Sequence, residues 1–149
     1  MSDESPIIFS YGSDVGRVRE HNEDAVATAE SADPQKQQLG RLFIVADGMG
    51  GYLAGEVASE LAVETVLREY YAEPSAEPVA RLQAALQAAN QAVYSSAHSD
   101  RSHTGMGTTI VATAIVGHTA YVASVGDSRA YVVHGDELLQ ITHDHSLVG

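Results

Sequence analysis

The spacing of apolar and polar positions divides the chain into stretches of different period. Residues 7–11 and 25–29 are short β-capable runs, and between them lies a stretch holding Asp14, Arg17, Arg19, Glu20, His21, Asn22, Glu23 and Asp24. That density of charge predicts strand, functional loop, strand. Residues 30–40, with Pro34 and three glutamines, have no period and predict an exposed turn. Residues 42–46, Leu42-Phe43-Ile44-Val45-Ala46, form an almost continuous apolar run. The expectation there is a strand covered on both faces that ends at Asp47-Gly48-Met49-Gly50-Gly51.

From Ala54 the period becomes helical. Val57, Ala58, Leu61, Ala62 and Thr65 recur at three and four, while Glu56, Glu60, Glu64 and Arg68 share the opposite face. This predicts an amphipathic helix to about Tyr71. Pro74 and Pro78 punctuate a linker, and Val79, Leu82, Ala85, Leu86, Ala89 and Val93 then mark a second helix that fades near His98. Residues 99–107 read as a loop. Beyond it the period drops to two, and residues 108–116, 119–125, 129–134 and 137–141 predict an antiparallel meander. Strands, then two helices, then strands is an α+β order, not the alternation of a doubly wound fold.

With 149 residues the chain is long enough for one compact unit with its own core. Lys and Arg number 8 against 20 Asp and Glu, giving a net charge of −12 and a pI near 4.7. That balance argues against nucleic-acid binding through a basic face. The absence of cysteine excludes disulfides, thiolate metal sites and a cysteine nucleophile. No apolar run approaches a bilayer span, and Asp3 and Glu4 stand where a signal peptide would be basic, so a cytoplasmic protein off the membrane is expected. Neither glycine loop fits a nucleotide motif. Gly48-x-Gly50-Gly51 lacks a following Lys-Ser/Thr, and Gly105-Met106-Gly107 precedes a strand, not a helix.

Acids sit at three strand ends: Glu23-Asp24, Asp47 and Asp127. Carboxylates converging at the lip of buried strands repel one another unless a divalent cation lies between them, which suggests Mg²⁺ or Mn²⁺. Asp-Gly and Gly-Asp are also ordinary turn dipeptides, so composition alone leaves both readings open. Arg19 and Glu23 in one loop place a phosphate-binding fork beside a carboxylate, or else form a surface ion pair of little energetic weight. His143-Asp144-His145 could ligate a metal, but alternation along a continuing strand would turn one imidazole away. His98 and His103 are expected in solvent, and His21 near a bound phosphate.

Five segments together carry a resemblance: Arg19-Glu20-His21-Asn22-Glu23-Asp24; Val45-Ala46-Asp47-Gly48-Met49-Gly50-Gly51 with Ala54-Gly55-Glu56-Val57-Ala58-Ser59; Gly105-Met106-Gly107-Thr108-Thr109; Val125-Gly126-Asp127-Ser128-Arg129-Ala130-Tyr131; and Ile141-Thr142-His143-Asp144-His145-Ser146. In this order they resemble the N-terminal motifs of the bacterial metal-dependent serine/threonine protein phosphatases (PPM-type, type 2C). The resemblance implies a β-sandwich of two antiparallel sheets flanked by helices, with a two-metal Mg²⁺ or Mn²⁺ site at one end. Asp47 matches the bridging carboxylate and Gly48 a carbonyl ligand. Glu23 matches the acid that holds water in the metal shell, with Asp24 supporting it. Arg19 matches the arginine that grips the substrate phosphate, and Asp127 the acid of an additional, weaker metal site. Met49 stands where some members carry histidine.

The implied activity is hydrolysis of phosphoserine and phosphothreonine on proteins, opposing a bacterial Ser/Thr kinase, without a covalent enzyme intermediate. Residues 1–149 match the N-terminal part of a single catalytic domain, so the fold is expected to be incomplete at its C-terminal side. No Asp-Asn segment, and no Asp-Gly segment suited to complete the metal shell, follows Asp127. The alternative is a truncated, non-catalytic relative that binds metal or a phosphorylated partner. Unfinished sheets further predict self-association of the short chain.

Overall fold

A computed structural model describes residues 6–51 and 53–145. Its strands and helices are β1 (Asp24–Ala29), β2 (Arg41–Met49), α1 (Ala54–Tyr70), α2 (Pro78–Ser99), β3 (Gly107–Thr108), β4 (Ile110–Val116), β5 (Thr119–Val125), β6 (Tyr131–His134) and β7 (Glu137–Gln140). The larger sheet runs β1-β2-β4-β5, with β3 paired to the far end of β2, and β6 and β7 form a separate hairpin. Every pairing is antiparallel. The class is α+β, with two antiparallel sheets and two helices, as the residue pattern predicts.

The core lies between the larger sheet and the helix pair. Leu42, Ile44 and Ala46 of β2 and Ile110, Ala112 and Ala114 of β4 are buried against Ala58, Ala62 and Val66 of α1 and Leu82, Ala85 and Ala89 of α2. Small residues on the helices let the backbones approach the sheet closely. Pro78 at the start of α2 costs no hydrogen bond, because the first N–H groups of a helix are unpaired in any case. The fully buried Tyr70 donates its hydroxyl to the Leu39 carbonyl at 2.8 Å and accepts Arg81 Nη2 at 3.2 Å. Next to it, Tyr71 Oη lies 2.8 Å from the Ala29 carbonyl and 3.0 Å from that of Gly40. The end of α1 is thereby fastened to one end of the β1–β2 pair, leaving the acid-bearing end open.

Four expectations are corrected. Residues 7–11 form no strand: Ile8 is 94% exposed, and only Phe9 finds a partner, its ring edge-on to Phe43 with centroids 5.3 Å apart. β-propensity without a neighbouring strand makes no ladder. β2 is covered on one face only, since Leu42, Ile44 and Ala46 point to the helices while Val45 is 47% exposed. It also runs past Asp47, because Gly48 and Met49 find ladder partners in Thr108 and Gly107. Finally, the meander breaks between β5 and β6, where residues 126–130 leave the sheet, so the last hairpin stands apart. Ser146, the last residue of the fifth motif, lies outside the described residues. Among the described residues no helix is long and apolar enough to cross a membrane.

Candidate metal and phosphate site

The alternation that buries Leu42, Ile44 and Ala46 turns Asp47 to the opposite face, at the open end of the sheet. The β1–β2 register sets Asp24 directly across from it. The Asp47 carboxyl is held above the ordinary value of 3.8, first by partial burial, then by a hydrogen bond and charge repulsion from Asp24. Arg19 pulls it back down, and Asp127 adds a smaller upward push. Residues from the first loop, β1, β2 and the loop after β5 thus act on one carboxyl.

Two glycines explain how Glu23 joins this end. The Gly48 N–H donates to the Glu23 carbonyl at 3.0 Å, bringing the residue before β1 against β2. A Cβ on Gly48 would sit 1.9 Å from the Gly55 carbonyl oxygen, and one on Gly55 would sit 2.7 Å from the Glu23 carboxyl. The Glu23 side chain therefore lies over the first turn of α1, where the helix field favours a negative charge. Across the loop, Arg19 Nη1 is 4.0 Å from Glu23 Oε2. The Arg19 side chain is 75% exposed and Glu23 is 18% exposed, so the guanidinium reaches outward from an anchored acid. Asn22 braces the same loop, donating its side-chain amide to Ser13 Oγ and accepting the Asp24 N–H at 3.0 Å.

Asp127 sits in the loop from which the sheet departs, and a strap of residues 142–145 holds that loop. Arg129 Nε donates to Asp144 Oδ1 at 3.0 Å and Nη2 to Oδ2. The Ala130 N–H donates to the Thr142 hydroxyl, and the His145 N–H to the Gly126 carbonyl. The guanidinium keeps the Asp144 carboxyl below its usual range. Within His143-Asp144-His145, Asp144 and His145 are thus engaged in fastening this loop. His98 is exposed as expected, stacked on Tyr94, whereas His103, also expected in solvent, is half-buried with its Nδ1 2.8 Å from Ser96 Oγ. His21 and Met49 are exposed.

Asn22, Gly55 and Thr109 were visible in the motifs yet carried no individual role in the sequence. Asn22 and Gly55 adjoin Glu23 and Glu56 in the sequence, whereas Thr109 adjoins no acid and meets Asp47 only across the fold.

Among the described residues no three or more His, Cys, Asp or Glu side chains are gathered tightly enough to hold a metal ion. The donors are nonetheless all oxygen, which suits Mg²⁺ or Mn²⁺ in kind. A carboxyl pushed up by burial and then by its acidic neighbours is also what a divalent cation relieves.

The family described as Protein phosphatase 2C matches residues 10–148. The chain is 41% identical over 142 residues to serine/threonine phosphatase stp of Listeria innocua, covering 93% of this chain and 54% of that protein. It is similar to the crystal structure of serine/threonine phosphatase Stp1 from Staphylococcus aureus, with TM-score 0.81, 35% identity, and 92% of this chain and 53% of that one covered. It is likewise similar to the catalytic domain of PstP in complex with two manganese ions, with TM-score 0.76, 38% identity, and 92% and 55% covered. The chain spans about half the length of the relatives it matches.

Proposed function

The chain belongs to the protein phosphatase 2C family, and from that premise we propose that residues 1–149 form part of a single catalytic domain that hydrolyses phosphoserine and phosphothreonine on proteins. The observation that carries this reading is the convergence of Asp24, Asp127 and Arg19 on the Asp47 carboxyl, with Glu23 paired to Arg19.

The Asp47 carboxylate and the Gly48 carbonyl would hold Mg²⁺ or Mn²⁺, Asp24 would stand behind them, and Asp127 would serve an additional, weaker cation. When bound, such cations supply Lewis-acid polarisation of the phosphoryl oxygens and a nucleophile at neutral pH. Arg19 offers a planar pair of N–H donors that matches two phosphate oxygens, and its exposure leaves it free to meet a phosphorylated side chain on another protein. Glu23, anchored under Arg19, accepts hydrogen bonds from a water beside that phosphate and fixes its orientation. The substrate is a phosphorylated protein made by a bacterial Ser/Thr kinase. The 149-residue chain assayed by itself is expected to self-associate, since Val133, Leu138 and Leu139 of the last hairpin are 71%, 65% and 59% exposed.

The test is hydrolysis of a phosphothreonine peptide by the full-length protein in Mn²⁺. Turnover that is lost on chelation and lost in Asp47→Asn supports the reading. Undiminished turnover by Asp47→Asn contradicts it.

A further inference from the structure

Asp47 and Asp127 belong to segments far apart in the chain, and one buried side chain stands between them. Thr109 lies in the single-residue break between β3 and β4, 7% exposed, opposite Asp47 in a register that continues unchanged across the break. An antiparallel pair at this position exchanges two backbone hydrogen bonds. Here the Thr109 N–H donates to the Asp47 carbonyl at 2.9 Å, but the Asp47 N–H donates to the Thr109 hydroxyl at 3.1 Å. A side-chain oxygen has taken the place of a backbone carbonyl in the ladder, at the residue whose carboxyl is the centre of the site. The same hydroxyl is in hydrogen-bond contact with Ser128 Oγ, next to Asp127. The Thr109 methyl packs on the Gly126 backbone, where an added Cβ would come within 2.7 Å.

We propose that Thr109 is a positioning residue whose hydroxyl sets the placement of Asp47 relative to the Asp127 loop. Valine keeps the shape and loses the hydroxyl contacts to the Asp47 backbone and to Ser128, while serine keeps the hydroxyl and loses the methyl. The inference rests on the reading of Asp47 and Asp127 as the acids of a divalent-cation site, so it is tested with two readouts, one of which needs no metal.

In the full-length protein, Mn²⁺ binding is titrated from the loss of the free-ion EPR signal for the parent, Thr109→Val, Thr109→Ser and Ser128→Ala. Amide exchange at Asp47 and amide shifts at residues 126–128 are followed by NMR without metal. The expected result is Mn²⁺ affinity weakened roughly tenfold in Thr109→Val and Ser128→Ala, the size typical of lost outer-shell partners, with Thr109→Ser within about twofold of the parent. Faster Asp47 amide exchange and shifted 126–128 amides accompany Thr109→Val. Parent-like Mn²⁺ binding in Thr109→Val overturns the proposal. So does a loss in Thr109→Ser equal to that in Thr109→Val, which would assign the effect to methyl packing. If Thr109→Val does not fold, Ser128→Ala decides by the same criterion. If the parent binds no Mn²⁺, the metal reading fails by itself, and the NMR readout decides whether the hydroxyl couples the two segments.

Discussion

Asp24 and Asp47 face one another as partners at the open end of the β1–β2 pair, two carboxyl groups set side by side by strand register. Opposed like charges across strands destabilise a sheet. The arrangement persists because the other end of the pair is locked to α1 by Tyr71, so strain at the acidic end cannot slide the register.

Burial of Asp47, with the repulsion from Asp24 added to it, has a measurable sign. Asp47 has a raised pKa in the folded state, so its charge costs nothing below 3.8, and folded stability is lost as pH rises through the elevated folded value. Without divalent cations at pH 7, Asp47→Asn is therefore expected to melt about 1–3 °C above the parent, allowing for solvent screening. Melting curves in chelator should show the gap closing as pH falls toward 3.8.

The role proposed for Arg19 lies on the substrate side of the site, with little contribution to the fold. At 75% exposure and 4.0 Å from Glu23, its ion pair is of the kind that is worth less than about 1 kcal/mol. In the full-length protein Arg19→Ala should raise KM for a phosphopeptide by roughly tenfold or more while moving Tm by no more than about 2 °C. Unchanged kinetics with early melting would assign Arg19 to structure.

Gly48 and Gly55 should respond differently to one added methyl. At Gly48 the new carbon meets the Gly55 carbonyl, which is backbone and cannot turn aside, so Gly48→Ala should cost about 3 kcal/mol or more of stability. At Gly55 it meets first the end of the Glu23 side chain, which can swing away, and only then the Met49 backbone nitrogen at 3.0 Å. Gly55→Ala should therefore fold while displacing Glu23 and reducing turnover. Urea unfolding and kinetics on both variants separate the two.

Burial pushes the Tyr71 phenol up to about 12 from its usual 10.0. A raised folded pKa gives stability that is complete below pH 10 and is lost as pH rises toward 12. Tyr71→Phe should lower stability by about 1–2 kcal/mol at pH 7 and flatten that alkaline decline. Denaturation of the two proteins at neutral and alkaline pH checks it.

The elements that were legible in the sequence are those with strong local periods. α1 and α2 follow their apolar stripes almost to the residue, and β4 and β5 their turn at Gly117-His118. Residues 7–11 do not form the strand their composition predicts, because a strand needs a neighbour and apolar composition does not supply one. The end of β2 was misplaced because Asp47-Gly48 looks like a turn until Thr108 and Gly107 appear across from it. In the site, Asp24, Asp47 and Arg19 could be named from their motif because charge at a strand end is visible locally. Thr109 could not, since its hydroxyl accepts the ladder hydrogen bond of the Asp47 N–H, a donor 62 residues away.

Gathering of a divalent cation around Asp47 by the acids at this end of the sheet is tested by adding Mn²⁺ to isotope-labelled protein and mapping paramagnetic line broadening. Amides of Glu23, Asp24, Asp47, Gly48 and Asp127 should broaden at the lowest Mn²⁺ concentrations, and Asp47→Asn should remove this first phase. Broadening centred on other acidic surfaces, or an unaltered map in Asp47→Asn, would contradict it.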